Sequence, residues 1–215
     1  MEGYKTVHRA GVGEITEKKS RFIAHVFHVE SEDEALFQIE ALKKEYWDAR
    51  HNCYAYTVGV TNPTERYSDD REPAGTAGRP ILDVIRGEEL KDTLIVVTRY
   101  FGGVLLGTGG LVRAYQASAR AGLEASVIAR RIPALKVLVT TDYSGLGKLQ
   151  YLAAKLSVPV ISVDYADSVK ATILCDEAKL GDISRQMQEV TSGATMFDRI
   201  SEVIYTEADG EVTLC

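Results

Sequence analysis

The stretch LIVVT, at Leu94–Thr98, runs directly into RYFGGVLLGTGGLVRAY, at Arg99–Tyr115. An unbroken apolar run bounded by turn residues predicts a strand that is buried on both faces. The segment after the glycines is rich in alanine and other small residues, and we expect a helix there over about Gly110–Ala129 that lies close against a sheet. A buried strand, a glycine loop and a helix in succession indicate a fold that mixes α and β structure.

Elements on both sides of this stretch complete an N-terminal domain. Ser31 and Glu34 are spaced as a capping box, and the apolar residues from Ala35 to Tyr46 fall on one helical face. Another glycine-rich stretch, YSDDREPAGTAGRP at Tyr67–Pro80, comes earlier in the chain and is predicted to be a loop. The remaining predicted elements are strands near Lys5–Ala10, Gly13–Thr16, Arg21–Val29 and His51–Val58, and a short helix at Arg79–Arg86.

A domain boundary is expected near Arg130-Arg131-Ile132-Pro133, because Pro133 cannot continue the preceding helix. We therefore assign residues 1–131 to the first domain and residues 132–215 to the second. In the second domain a strand–helix–strand pattern occurs twice, with an offset of 34 residues: Val137 corresponds to Ala171, and Leu149 to Ile183. A duplicated unit of this size predicts a ferredoxin-like βαββαβ sandwich, so the fold class is α+β.

Composition restricts the class of protein. The chain has 215 residues, three cysteines without close spacing and a net charge of −6. The expectation is a cytoplasmic protein with reduced thiols and no membrane segment, and the negative charge argues against non-specific coating of nucleic acid. Residues 50–131 differ from the rest of the chain in the sign of their charge, since they contain ten arginines and one lysine against nine acidic residues. The arginine guanidinium forms bidentate hydrogen bonds with phosphate or carboxylate. This region therefore has either an anionic partner or internal ion pairs.

The stretch at Arg99–Tyr115 carries the chemistry of an anion site. Glycines before a helix expose free N–H groups at the positive end of the helix dipole. No Lys-Ser/Thr pair follows them, as a Walker loop requires, and the third glycine of a dinucleotide fingerprint is missing. The alternative is that the glycines serve close packing. The candidate residues for binding nucleic acid or another anion are Arg50, His51, Arg99, Tyr100, Gly102, Gly103, Gly107, Gly109, Gly110 and Arg113.

The first glycine-rich stretch contains Asp69, Asp70 and Glu72. Carboxylates this close can hold Mg²⁺, but such groups more often form ion pairs with nearby arginines, and we favour pairing. His51 and Cys53 point to one face of a strand and are conceivable as a nucleophile pair, yet no third orienting group is evident. We therefore expect no catalytic residues and no cofactor, with magnesium as the weaker alternative.

Three long motifs in this order resemble the IMPACT family, including its bacterial YigZ-like and YvyE-like members. The matching segments are DARHNC at 48–53, SDDREPAGTAG at 68–78, and RYFGG with LGTGGL between 99 and 111. The family pattern has glycine where Arg71 stands. The resemblance implies an N-terminal domain of the ribosomal protein S5 domain 2 type and a C-terminal ferredoxin-like domain similar to those of elongation factor G. It also implies a role close to translation, since eukaryotic members regulate translation under amino-acid starvation.

Three hypotheses about function follow. The first is a cytoplasmic binding protein that recognises RNA or a ribosomal element through its N-terminal domain. The second is a magnesium-dependent enzyme or nucleotide-binding protein that uses the carboxylates and the glycine loop. The third is a protein–protein adaptor that docks through the acidic C-terminal domain, whose residues 133–215 carry seven basic and twelve acidic side chains.

Overall fold

The computed structural model describes residues 3–208 and 211–214. Its backbone divides into two compact units, of which one is Tyr4–Arg130 and the other begins at Arg131. Both units combine helices with a sheet, so the predicted two-domain α+β organisation is confirmed. Within these described ranges, no helix combines the length and the apolar character needed to cross a membrane.

The N-terminal unit is built on a five-stranded antiparallel sheet in the order β2-β3-β6-β4-β5. Its elements are β1 (Tyr4–Arg9), β2 (Gly11–Glu17), β3 (Ser20–His28), α1 (Glu32–Glu45), β4 (His51–Val58), β5 (Thr64–Ser68), α2 (Gly78–Gly87), β6 (Thr93–Tyr100) and α3 (Thr108–Glu124). The strand β5 was not predicted. It pairs with β4 along the edge of the sheet, with Tyr54 opposite Ser68.

Helices cover both faces of this sheet, which explains the unbroken apolar run in β6. Leu94 and Val96 pack with Ile39 of α1 in one cluster. Ile95 and Val97 belong to another cluster, together with residues of α2 and α3. Because successive side chains of a strand point to opposite faces, β6 must be apolar at every position to satisfy both layers.

The first helix begins where its sequence predicts. The Ser31 hydroxyl accepts a hydrogen bond from the Glu34 N–H at 3.1 Å. In a capping box the Glu34 carboxylate would accept a hydrogen bond from the N–H of Ser31. Here it accepts from the N–H of Glu30, one residue earlier, at 2.7 Å. Both bonds satisfy backbone donors that the helix itself leaves free.

Helix α3 lies close to the sheet because glycines face it. A Cβ on Gly13 would stand 2.2 Å from the backbone carbon of Ala121, and one on Gly11 would meet the backbone at Ser126 at 2.4 Å. The helix ends at Glu124, earlier than predicted. The Ser126 hydroxyl donates to the carbonyl oxygen of Leu123 at 2.8 Å, so it competes with helix continuation.

The second unit contains the remaining strands and helices. They are β7 (Val127–Thr141), α4 (Tyr143–Lys155), β8 (Val160–Tyr165), β9 (Val169–Cys175), α5 (Glu177–Thr191), β10 (Met196–Ala208) and β11 (Glu211–Leu214). The strand β7 begins four residues before Arg131 and runs through Pro133, so this proline lies within a strand and does not end a helix. The sheet order is β11-β10-β7-β9-β8. The strand β11 was not predicted.

The repeat in this unit is visible at its helix starts. Asp142 caps α4 by accepting from the Gly145 N–H at 2.6 Å. Asp176, 34 residues later, caps α5 by accepting from the Lys179 N–H at 2.8 Å. The two helices then contribute Leu149 and other apolar residues to one buried cluster with β7 and β9. The order strand, helix, strand therefore occurs twice, as the sequence predicts.

Candidate functional site

The two glycine-rich segments leave the sheet at the same end. Arg99, near the end of β6, pairs with His51 at the start of β4, and also with Phe22 near the start of β3. The strand β5 finishes there as well, since Ser68 pairs with Tyr54. We call this end of the sheet, where β5 and β6 finish and β3 and β4 begin, the loop end. Both glycine-rich segments therefore begin in this region.

An ion pair joins the two segments inside the protein. Nη1 of Arg99 lies 2.5 Å from Oε1 of Glu72, and the two side chains are only 6 % and 4 % exposed. Tyr115 of α3 donates its hydroxyl proton to the same Oε1 at 2.9 Å. Arg99, predicted to pair with phosphate, is thus turned inward and paired with a carboxylate, as the alternative interpretation of the arginines allows.

Aromatic rings and a hydroxyl enclose the Arg99 guanidinium. Its carbon lies 5.4 Å from the ring centre of Phe22 and 5.6 Å from that of Phe101. Nη2 donates to the Ser20 hydroxyl at 3.4 Å, whereas the buried Nε has no hydrogen-bond partner among the described residues. Cation–π contacts and one strong ion pair therefore hold this arginine in place.

Cys53 continues the buried network, but it lacks the features of a nucleophile. Its Sγ lies 3.0 Å from the carbonyl oxygen of Asp69 and 3.3 Å from the hydroxyl of Tyr115. Burial raises the pKa of the Cys53 thiol, and nearby carboxylates raise it further. A thiol that resists ionisation is a poor nucleophile. His51 places Nδ1 2.8 Å from the carbonyl oxygen of Asp70, so that nitrogen is the donor.

Asp69 serves as the cap of α2. Its Oδ1 accepts from the N–H groups of Ala77 at 2.9 Å and Gly78 at 2.8 Å, and its Oδ2 accepts from Gly75 at 2.8 Å. Three backbone donors thus occupy both oxygens of one carboxylate, which lies at the positive end of the helix dipole. Gly78 is required at this position because a Cβ would stand 2.7 Å from the backbone of Ser68.

Asp70 and Arg71 form a left-handed turn, with φ of 38° and 69°. Oδ2 of Asp70 accepts from the Asn52 N–H at 2.6 Å, and Nη2 of Arg71 donates to the carbonyl oxygen of Arg50 at 2.7 Å. Glycine adopts such a positive φ without steric cost, so Arg71 stands at a position where the backbone favours glycine. Within the described part of the chain, no group of three or more His, Cys, Asp or Glu is arranged to hold a metal ion.

The second glycine-rich segment is pinned at its start. The Tyr100 hydroxyl donates to Oδ1 of Asp48 at 2.7 Å, and the N–H of Gly102 donates to the Ser20 hydroxyl at 3.1 Å. A Cβ on Gly102 would stand 2.0 Å from the backbone carbon of Lys19. Gly102 is therefore required for packing, because the absence of a side chain lets the loop lie directly against the backbone of the β2–β3 turn.

The loop from Gly103 to Gly109 is exposed except at Leu106, which packs in the core. Gly103 and Gly107 have φ of 83° and 74°, with no atom near their missing Cβ positions, so they shape the turn without touching the scaffold. Leu105 between them is 83 % exposed. Gly110 differs, since a Cβ there would stand 3.0 Å from the Leu106 side chain.

Helix α3 begins without a side-chain cap. Gly107 is the N-cap residue, and the first turn contains no acidic residue. The exposed side chain of Arg113 lies close to this turn. Its Nη1 is 3.6 Å from the position that a Cβ on Gly109 would occupy. A cation is disfavoured at the positive end of a helix. The start of α3 is thus a concentration of positive charge without a neutralising group.

Four exposed cations at the loop end have no ion-pair partner among residues 3–208 and 211–214: Lys18, Lys19, Arg50 and Arg113. Lys18 and Lys19 are the two central residues of the β2–β3 turn, where Glu17 pairs with Ser20, and both have positive φ, 46° and 68°. Sequence reasoning missed these lysines. No signal in the sequence identifies them, because Lys-Lys is not among the residue pairs that are preferred in two-residue turns.

Family models match a large part of each unit, and relatives match most of the chain. The Impact N-terminal domain matches residues 18–123, and DUF1949, a domain of unknown function, matches residues 139–194. The IMPACT family member YvyE of Bacillus subtilis is 40 % identical over 195 residues, which cover 90 % of this chain and 89 % of that protein. The IMPACT family member YigZ of Escherichia coli is 33 % identical over 187 residues, 86 % and 92 % of the two chains.

A solved structure agrees with these matches. The crystal structure of a hypothetical protein has a TM-score of 0.60 and 31 % identity, and the match covers 94 % of this chain and 98 % of that one. The chain therefore belongs to the IMPACT family, as its three motifs predict.

Proposed function

We propose that this protein binds RNA or a ribosomal element through the loop end of its N-terminal unit, and that it acts in the cytoplasm in the regulation of translation or of a stress response. One observation carries the proposal. The carboxylates of the glycine-rich segments are engaged inside the protein, whereas four cations of the same region lie exposed without ion-pair partners among the described residues.

The electrostatic argument concerns the local balance of charge. Asp69 is bound by backbone amides, Asp70 by the Asn52 amide and Glu72 by Arg99. Asp69 and Asp70 keep their negative charge, but none of the three carboxylates forms an ion pair with the four exposed cations of the loop end. These four cations are therefore available to phosphate groups, which complement them in charge.

The geometry of the loop is suited to the same partner. The first turn of α3 has no side-chain cap for its backbone N–H groups, and the exposed Gly109 has no side chain to block a phosphate. Arg113 lies beside this position and supplies charge. The binding residues of the proposal are thus Arg50, Arg113 and the loop glycines, with Lys18 and Lys19 added. Arg99 is left out because it already has a buried partner.

We propose fold types for the two units on the basis of their strand order. In the second unit the succession strand, helix, strand occurs twice, and the four strands of these two repeats lie in the sheet in the order β10-β7-β9-β8. This arrangement supports a ferredoxin-like domain. The first unit is assigned to the ribosomal protein S5 domain 2 type, with the boundary at residues 131 and 132. Fold types that occur in RNA-contacting proteins are compatible with the proposal, but the argument depends on the charges described above.

The proposal is tested by the salt dependence of RNA binding. Fluorescence anisotropy would follow a labelled RNA that contains a hairpin and a single-stranded arm, titrated with the full chain at about 50 to 200 mM salt. The variant Lys18→Asn/Lys19→Gly removes two cations while introducing Asn-Gly, the preferred pair for a two-residue turn with positive φ. A loss of binding in this variant therefore cannot be attributed to a damaged turn.

Each phosphate contact on a single strand contributes about 0.7 to the slope of log K against log salt. We expect the double variant to reduce this slope by about 1.4 and to weaken binding at low salt. The matched control is Lys155→Gln/Lys170→Gln, which removes two exposed lysines from the second unit and should leave both quantities unchanged. Equal effects of the two variants, or no binding by the wild-type chain at low salt, would refute the proposal.

A further inference from the structure

Trp47 is the only tryptophan of the chain, and 82 % of it is exposed. It lies between the end of α1 at Glu45 and the start of β4 at His51, which places it at the loop end. A tryptophan side chain is among the largest apolar surfaces available, and tryptophan is highly buried on average in folded proteins. An exposed ring at this position therefore requires an explanation.

The neighbours of Trp47 hold its backbone in place. Before it, the Tyr46 hydroxyl lies 3.1 Å from Nε2 of His25, and the two rings are 5.3 Å apart between centres. After it, Asp48 accepts the hydrogen bond from Tyr100 at the end of β6. Trp47 is thus presented outward between two anchored residues.

Positive charge lies close to Trp47 in the chain, and the loop end contains another exposed aromatic ring. Arg50 is three residues along the chain, at most about 11 Å away between Cα atoms. Phe101, directly after β6, is 44 % exposed, and its ring centre lies 5.6 Å from the guanidinium carbon of Arg99. The nearest carboxylate in sequence, Asp48, is already bound by Tyr100. Aromatic rings beside unpaired cations are the arrangement by which proteins bind single strands, with rings stacking on bases and cations on phosphates.

We infer that Trp47 stacks on an unpaired base, so that the loop end takes single-stranded RNA in preference to duplex RNA; this inference rests on the proposed function. Bases within a duplex are stacked on one another and offer no free face to an indole ring. A strand that runs from Trp47 past Arg50 can place its phosphates on the cations of the loop end. Trp47 then supplies contact energy that does not depend on salt.

Because Trp47 is the sole tryptophan, emission excited at the red edge of the absorption band, where the eleven tyrosines do not absorb, reports on this residue alone. The probes are a single-stranded RNA of about 12 nucleotides without self-complementarity and a blunt hairpin with a stem of the same length. Binding is measured independently by anisotropy of a label on each RNA. We expect the single strand to quench the tryptophan emission, and we expect the hairpin to bind more weakly.

The variant Trp47→Ala should weaken binding of the single strand by roughly 5- to 100-fold, while Trp47→Phe should retain most of the affinity. The slope against salt should be the same in Trp47→Ala as in the wild-type chain, because no phosphate contact is lost. The matched control is Phe37→Ala, which removes another exposed aromatic ring, 72 % exposed, about 10 residues earlier on the outer face of α1. This control should bind as the wild type does.

The outcomes separate the inference from the proposal on which it rests. If the single strand binds but leaves the emission unchanged, and Trp47→Ala binds normally, Trp47 is not a stacking residue and the proposed function stands. If the hairpin binds as tightly as the single strand, the preference for unpaired RNA is refuted. If neither RNA binds at about 50 mM salt, the proposed function itself fails.

Discussion

The inner and outer sides of the loop end each contain an arginine of the segment Arg99–Tyr115, but they treat charge in opposite ways. On the inner side, Glu72 and Arg99 neutralise each other at 2.5 Å. On the outer side, Arg113 and Lys19 are exposed and unpaired among the described residues. A charged side chain in these motifs therefore has either a structural role or a role on the surface, and burial distinguishes the two.

The glycines divide in the same way. Gly102 and Gly78 lie against backbone and leave no space for a Cβ. Gly103 and Gly107 are needed for their positive φ, whereas Gly109 has neither constraint, since its nearest neighbour would be the flexible end of Arg113 at 3.6 Å. The absence of a side chain at Gly109 is thus required by neither packing nor backbone geometry, which agrees with a surface that a ligand approaches closely.

The largest effect is expected from breaking the inner ion pair. Glu72→Gln keeps the shape of the side chain but leaves the Arg99 guanidinium buried without a counter-charge. Loss of one partner of a buried pair typically reduces the free energy of unfolding by about 3–5 kcal/mol. Urea unfolding followed by circular dichroism measures this change as a lower midpoint at constant slope.

The control for this prediction is Glu14→Gln. Its partner Arg21 lies 2.7 Å away, but the two side chains are 44 % and 52 % exposed, so water replaces the lost contact. We expect no measurable shift of the midpoint. Similar midpoints for Glu72→Gln and Glu14→Gln would mean that the inner pair does not stabilise the loop end.

A smaller effect should separate two glycines of one motif. Gly102→Ala forces a Cβ into the Lys19 backbone and should cost about 1–3 kcal/mol through overpacking. Gly109→Ala places a methyl group in the first turn of α3, where it meets only a flexible side chain, and should be neutral or slightly stabilising. Thermal unfolding of both variants shows which one is less stable. If Gly109→Ala lowered the stability as much as Gly102→Ala, the distinction between packing glycines and exposed glycines would be contradicted.

Much of the fold could be predicted from local patterns. The buried strand at Leu94–Thr98 and the Ser31 cap follow from the spacing of apolar and capping residues, and the structure has both. The end of α3 could not be predicted, because the helix pattern continues in alanines beyond Glu124. There the Ser126 side chain bonds to the last carbonyl groups, and the chain turns into β7.

The candidate site was predictable as a region but not as a set of contacts. Both glycine-rich segments do meet at the loop end. Arg99 and Arg113 both belong to the second glycine-rich segment, and nothing local distinguishes them. Arg99 is buried because it contacts Glu72 and the Phe22 ring, which are 27 and 77 residues away in the chain. No local pattern encodes such contacts. The exposure of Trp47 was missed for the same reason, since it depends on what packs against the end of α1.

The most direct test of the account is co-sedimentation of the full chain with bacterial ribosomes at about 50 and 200 mM salt. The comparison is between the wild type, Lys18→Asn/Lys19→Gly and the control Lys155→Gln/Lys170→Gln. The account predicts that the wild type and the control pellet with ribosomes at low salt and are released at high salt, and that the turn variant stays in the supernatant at both. Equal pelleting of all three proteins, or no pelleting of the wild type at low salt, would contradict it.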